Sequence, residues 1–198
     1  MYRLIYFDFT GRAESIRLLF SAAQVEFEDV RLTSEQWQAM KDSTPTGKLP
    51  LLEVDGKKLP ESWAILRFLA RKFHFEGLDE IQCAAADAIS CCIEDMFADV
   101  PRIANGRNDE EKMKAREHLE TVGIPLGFKK LIAMKKLYGE GDYLVGSILT
   151  YADILMYAIF NVLKYRFGIK YELPDELKAV MKSVESNPGI ASYLKCKK

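Results

Sequence analysis

The stretch YRLIYFDFTGRAESIRLLFSAAQVEFEDVRL, residues 2–32, decides the fold. Arg3 to Phe7 is a short apolar β-run, Ala13 to Ala23 sets Ile16, Leu19 and Phe20 at helical spacing, and Phe27 to Leu32 returns to an extended pattern. Together they make a β-α-β unit. Working outward, Ser34-Glu35-Gln36-Trp37 opens a short helix, and Leu49 to Val54 reads as a strand. Asp55-Gly56 is a hairpin turn, Lys58-Leu59 the returning strand, and Ser62 to Phe73 a helix. The order β-α-β-α-β-β-α predicts an α/β domain with a four-stranded mixed sheet and helices on both faces.

From about residue 80 the pattern changes to long stretches with an apolar residue every three or four positions. Helices are expected near 81–104, 110–138, 151–166, 175–186 and 189–195, broken by Asn105-Gly106, Gly139 to Gly141, Gly168 and Asn187-Pro188. The expected organisation is an α/β domain over 1–73, a linker over 74–80 and an all-helical domain over 81–198. Thr150-Tyr151-Ala152-Asp153 opens a strongly apolar helix. An N-cap threonine with an acid three residues later is a capping pattern that contributes about 1 kcal/mol, so this acid reads as structural rather than catalytic.

Composition narrows the function classes. The 198 residues are 48% hydrophobic and 29% charged, with 28 Lys plus Arg against 29 Asp plus Glu. A net charge of −1 makes no electrostatic case for nucleic acid or an anionic membrane as the main partner. No apolar run approaches the ~20 residues needed to span a bilayer, and the start lacks a secretory core, so a soluble cytoplasmic protein is expected. Cys83, Cys91, Cys92 and Cys196 show neither CxxC spacing nor a zinc pattern with His74 and His118, and read as reduced structural thiols.

Three segments stand out in order: Tyr6-Phe7-Asp8-Phe9-Thr10-Gly11-Arg12-Ala13-Glu14, Gly47-Lys48-Leu49-Pro50-Leu51-Leu52-Glu53 and Glu61-Ser62-Trp63-Ala64-Ile65. With Asp87-Ala88-Ile89 and Leu149-Thr150-Tyr151-Ala152-Asp153, they resemble the cytosolic glutathione S-transferases, the sigma class above all, across nearly the whole chain. The resemblance implies a thioredoxin-like N-terminal domain that binds glutathione, a helical domain that provides the second-substrate pocket, and a homodimer; no required metal is expected.

The residue chemistry fits that implication. A thiol of pKa ~8.5 is only a few per cent thiolate at neutral pH. By resemblance Tyr6 supplies the hydroxyl that stabilises the thiolate, and Arg12 sits beside it; taken alone, Tyr6 is a strand-end aromatic. Trp37, Lys41 and Lys48 are candidates for the glycyl carboxylate, one through its indole N–H and two through charge; singly, the lysines read as solvated surface. The Leu49-Pro50 bond is implied to be cis, exposing the Leu49 backbone for strand-like pairing with the cysteinyl unit. Ser62 and the helix N-terminus suit the γ-glutamyl carboxylate, and Glu61 the neighbouring ammonium. Many sigma-class members carry Gln at the Glu61 position.

Asp95 matches the family acid that reaches the γ-glutamyl ammonium of the neighbouring subunit. Some prostaglandin D synthases of this class bind a divalent cation near this segment; Cys91 stands at one of the matching positions, which argues against an oxygen-ligand site here. By position, Phe7, Arg12, Phe97, Arg102, Leu155 and Ile159 are expected around a hydrophobic electrophile, although Phe97, Leu155 and Ile159 also read as plain helical core. The prostaglandin D synthases carry Trp where Arg102 stands. Conjugation of glutathione to electrophiles is therefore the first expectation, with a prostaglandin-type isomerase or a non-catalytic, crystallin-like binder as alternatives. Thiol-disulfide exchange is disfavoured because no cysteine precedes Cys83.

Overall fold

The computed structural model describes residues 1–196, and their contacts divide into two units. The first holds Met1–Phe75 together with the described residues from Ser186 onward; the second is Glu76–Glu185.

The first unit contains β1 (Tyr2–Phe7), α1 (Glu14–Ala22), β2 (Glu28–Leu32), α2 (Ser34–Met40), β3 (Leu51–Val54), β4 (Lys57–Pro60) and α3 (Ser62–Phe73). This is the expected β-α-β-α-β-β-α order. The sheet runs β2-β1-β3-β4, with β1 parallel to β2 and antiparallel to β3, and β3 antiparallel to β4. A parallel pair needs a crossover, and α1 supplies it. Both central strands are buried, with Leu4, Leu51 and Leu52 wholly inaccessible, each worth ~1.5–3 kcal/mol of hydrophobic burial. The β3–β4 hairpin closes through Asp55 and Gly56 at φ +49° and +76°, positive at both centres as a type I′ turn requires. The short α2 is capped from Thr33, whose side chain accepts from the Gln36 N–H while the Gln36 side chain accepts from the Thr33 N–H.

In the second unit α4 (Glu80–Met96), α5 (Val100–Asn105), α6 (Asp109–His118), α7 (Ile124–Tyr138), α8 (Tyr151–Asn161) and α9 (Asp175–Ser186, whose last residue belongs to the first unit) follow one another. The helix expected over 81–104 is two helices. Pro101 has no N–H and crowds the preceding turn, so the chain tightens into i→i−3 bonds at Phe97, Ala98 and Val100 before α5 begins. The stretches expected as helices over 110–138 and 151–166 stay helical but widen into π-type turns over 119–123 and 162–166. Gly127 lets α7 approach α4 so closely that an added Cβ would lie 1.8 Å from Met96 Sδ. All ten residues from Tyr151 to Phe160 are buried, which makes α8 the central helix of this unit.

The last helix, α10 (Pro188–Cys196), packs on α1 rather than on the other late helices. Gly189 permits it, since a Cβ there would stand 1.8 Å from the Ser21 carbonyl oxygen. Amphipathic spacing marks a helix as packed and leaves its partner unspecified, so the sequence-based division at 81–198 carried this helix with its neighbours in sequence. Among the described residues, no helix is long and apolar enough to cross a membrane.

Candidate active site

The strand registers assemble one end of the sheet. Ile5 pairs with Leu51 and Leu51 with Pro60, so the next positions along the three strands are Tyr6, Pro50 and Glu61. Arg31 pairs with Tyr6 from the other side. Residues far apart in sequence thus form one row, and each of the three motifs read from sequence contributes to it.

Tyr6 is 6% exposed, and its hydroxyl oxygen accepts the Arg12 backbone N–H at 3.2 Å. Arg12 lies in the single turn Gly11–Ala13 that leads into α1. Gly11 has φ +46°, and a Cβ there would come within 2.5 Å of the Tyr6 oxygen, so both backbone conformation and space require glycine. Phe7 and Phe9 stack on each other at 5.5 Å and meet the Tyr6 ring edge-on at 5.6 and 5.3 Å. These contacts fix where the phenol points.

Trp37, 8% exposed on α2, meets Phe7 edge-on at 6.1 Å. Lys41 ends α2, and its carbonyl accepts from both the backbone N–H and the hydroxyl of Thr44, at 3.1 and 2.7 Å. The Thr44 hydroxyl oxygen accepts the Gly47 N–H at 3.1 Å, which folds the segment back so that the Lys41 stem lies beside Gly47. Lys41 and the exposed Lys48 are thereby gathered on one short segment before Leu49. The Leu49-Pro50 bond is cis, as the resemblance implied, and Pro50 is buried.

Glu61 adopts φ +69° and ψ 113°, a conformation that a non-glycine residue rarely takes and that clusters at functional sites. It is the N-cap of α3, and Ser62 is the first helical residue, 6% exposed. The serine is therefore not the cap that helix-start statistics favour. No side chain caps α3, and the first helical bond runs from the Ile65 N–H to the Glu61 carbonyl at 2.9 Å. Backbone donors at the start of a 12-residue helix thus face the same row as Tyr6.

In the second unit Asp95 is exposed on α4, 3.8 Å from Lys130. Arg102 is exposed on α5 and pairs with Asp99 at 3.3 Å; Asp99 also meets His118 Nδ1 at 2.7 Å. Phe97, Leu155 and Ile159 are 4%, 1% and 3% exposed, core side chains of their unit with almost no surface to offer a ligand. That is the alternative their sequence positions left open. Asp153 accepts from the Leu144 N–H, the Thr150 N–H and the Thr150 hydroxyl at 2.7, 2.7 and 2.8 Å. It is wholly buried, and burial, opposed by these hydrogen bonds, raises its pKa to about 6. Cys83 and Cys92 are poor nucleophile candidates on the same physics: burial, then the charges of Glu76, Asp79 and Asp87, pushes Cys83 up, and burial pushes Cys92 up.

Sequence reading passed over one residue at this end of the sheet. Arg17 is fully buried on α1, with its guanidinium carbon 5.9 Å from the Tyr6 ring centroid. Its signal was available, since a cation four residues after Ala13 and one after Ile16 sits on the apolar face of the helix.

Two family models match this chain: one described as glutathione S-transferase, N-terminal domain, over residues 2–71, and one described as glutathione S-transferase, C-terminal domain, over residues 94–197. The chain belongs to the glutathione S-transferase family. It is 39% identical over 160 residues to glutathione S-transferase 1 of Ascaris suum, covering 78% of this chain and 76% of that protein. Among solved structures it is similar to a prostaglandin synthase D of Nilaparvata lugens, with TM-score 0.89, 31% identity and coverage of 100% and 98% of the two chains. It is also similar to a monomeric glutathione S-transferase of the hookworm Necator americanus, with TM-score 0.88, 33% identity and coverage of 100% and 97%.

Proposed function

We propose that this protein is a cytosolic, sigma-class glutathione S-transferase that joins the glutathione thiolate to hydrophobic electrophiles. Tyr6 is the thiolate stabiliser, and its placement carries the reading: a buried phenol held by the Arg12 N–H, above a glycine that has room for nothing larger. Accepting one N–H polarises the phenol and makes its O–H a better donor to a thiolate. Lowering the thiol pKa by ~2 units requires ~2.7 kcal/mol of preference for the anion. A charge-assisted hydrogen bond supplies ~1.5–3 kcal/mol, and a helix N-terminus ~0.3–1 kcal/mol more. The two together suffice.

Glutathione is held, in this reading, by Trp37, Lys41 and Lys48 at its glycyl carboxylate. The Leu49 backbone beside Pro50 pairs with its cysteinyl unit, Ser62 and the α3 N-terminus bind its γ-glutamyl carboxylate, and Glu61 binds its ammonium. The thiolate sulfur attacks an electrophilic carbon and forms a C–S bond. In substitution the leaving group departs with the bonding pair; in Michael addition the neighbouring carbon takes a proton. In this reading Arg12 and Phe7 are what the first unit offers the anionic centre and the electrophile, and the exposed Arg102 is what the second unit offers. No step requires a metal.

The homodimer belongs to the same proposal. Leu59, Ala64, Arg67, Phe68, Arg71 and Lys72 line an open groove of about 570 Å³ with apolar and cationic side chains, whereas α4 carries Glu94 and Asp95. In this reading the two surfaces meet between copies, and the pairing brings Asp95 of one toward the glutathione of the other. Sedimentation velocity distinguishes this from a monomer.

Conjugation to a generic aryl halide across pH 6 to 9 tests the main reading. Wild type should turn over and Tyr6→Phe should lose rate, with its pH midpoint shifted upward. Glutathione binding without turnover would leave a crystallin-like binder instead. Likeness to the prostaglandin synthase D of Nilaparvata lugens favours prostaglandin-type isomerisation as a second activity, measured by product analysis on an endoperoxide substrate in the presence of glutathione.

A further inference from the structure

Arg17 is the largest of the wholly buried side chains, and its donors are unevenly matched. Nε lies 3.1 Å from both carboxylate oxygens of Asp29. Nη1 donates to the Phe9 carbonyl at 2.9 Å and the Thr10 carbonyl at 3.3 Å, and meets Glu14 at 3.5 Å. Nη2, equally buried, has no hydrogen-bond partner. What lies beside the guanidinium is the Tyr6 ring. A buried guanidinium with a nitrogen unmatched is unfavourable, and the face of an aromatic ring is one of the few surfaces that attract such a group.

We propose that Arg17 is a positioning residue for Tyr6, acting in two ways from beneath the site. Through Nη1 it holds the carbonyls of Phe9 and Thr10, the two residues directly before Gly11-Arg12, and so fixes the turn whose N–H grips the Tyr6 oxygen. Through its charge it favours the phenolate over the phenol and so strengthens the O–H as a donor. This rests on the reading of Tyr6 as thiolate stabiliser.

The other charges around Tyr6 set the direction of each test. Arg12 precedes α1, and Glu14 and Arg17 lie on it; Asp29 and Arg31 come from β2, with Arg31 also 2.8 Å from the exposed Asp8. From α10 the Tyr193 hydroxyl donates to Glu14 at 3.2 Å. Removing the cation at Arg17 therefore acts oppositely to removing its counter-anion at Asp29. A residue that only holds the fold together has no such sign change.

The test is the ionisation of Tyr6, followed by NMR on protein labelled at tyrosine Cζ, with the Tyr6 resonance assigned from Tyr6→Phe. Arg17→Met should raise the Tyr6 pKa by about 0.5–1 unit and move the pH midpoint of kcat/KM upward. Asp29→Asn, which preserves shape, should move both downward, and Tyr193→Phe should lower Tm with neither midpoint moved. If Arg17→Met does not fold, Asp29→Asn decides alone, because its downward shift is the opposite of what loosening predicts. Falling Tm with unmoved or upward-moving midpoints in Asp29→Asn would overturn the proposal. The NMR readout needs no glutathione, so a failure of the glutathione reading shows as absent conjugation with the Tyr6 shifts intact.

Discussion

Two buried ionic groups, Arg17 in the first unit and Asp153 in the second, solve the same problem differently. Asp153 faces three donors, one from Leu144 in the loop before α8 and two from its N-cap Thr150, all at 2.7–2.8 Å. Arg17 is surrounded by two carboxylates and two carbonyls, yet one of its nitrogens goes unmatched beneath an aromatic ring. In the same unit Gly11 and Glu61 hold positive φ. A satisfied cluster stabilises; an imperfect one, kept where backbone strain also collects, marks the end of the molecule at which chemistry is proposed.

The comparison breaks most visibly at Asp153. Asp153→Ala strands three buried donors and should cost about 3–5 kcal/mol of stability by urea unfolding, with kcat/KM of the folded fraction almost unchanged. Its titration adds a signed test. With a folded pKa of about 6 against 3.8 unfolded, the native state binds the extra proton between those values. Its contribution to stability is therefore largest below pH ~4, declines as pH rises through 6 and stays low above, a swing of up to ~3 kcal/mol. The wild-type minus Asp153→Asn difference in unfolding free energy should fall across that window, and a flat difference would contradict a raised pKa.

At the other cluster the effects should appear in rate. Tyr6→Phe should reduce kcat/KM by roughly 10- to 150-fold, the kinetic equivalent of ~1.5–3 kcal/mol, while Tm moves little. Ser62→Ala, removing a hydroxyl assigned only to ground-state binding, should raise KM for glutathione several-fold and spare kcat. The smallest expected change is Tyr193→Phe, which loses one hydrogen bond to Glu14 and about 0.5–1.5 kcal/mol of stability by thermal unfolding.

The site was legible in sequence to the extent that its parts are local. Tyr6 at a strand end, Gly11 before a helix, Leu49-Pro50 before a strand and Glu61-Ser62 at a helix start each announce themselves through backbone chemistry. Their meeting in one row was not, because register pairs Ile5 with Leu51 and Leu51 with Pro60 through side-chain burial summed over whole strands. Arg17 was legible only in part: its place on the apolar face of α1 marks a buried cation, while its neighbours Asp29, Phe9 and Tyr6 come from other segments that no helical spacing names. The break at Phe97–Asp99 was announced by Pro101 and went unread because apolar spacing continues through it.

By itself, then, the chain's periodicity determined the β-α-β-α-β-β-α order and the helical remainder, and its motif set determined the family, since both depend on neighbours within a few residues. Tertiary structure alone decided that α10 returns to α1, that the Tyr6 oxygen rests over Gly11, and that a guanidinium lies under the phenol. Those depend on close packing between segments distant in the chain, where a single Cβ of clearance at Gly189 or Gly11 settles the arrangement and no local preference records it.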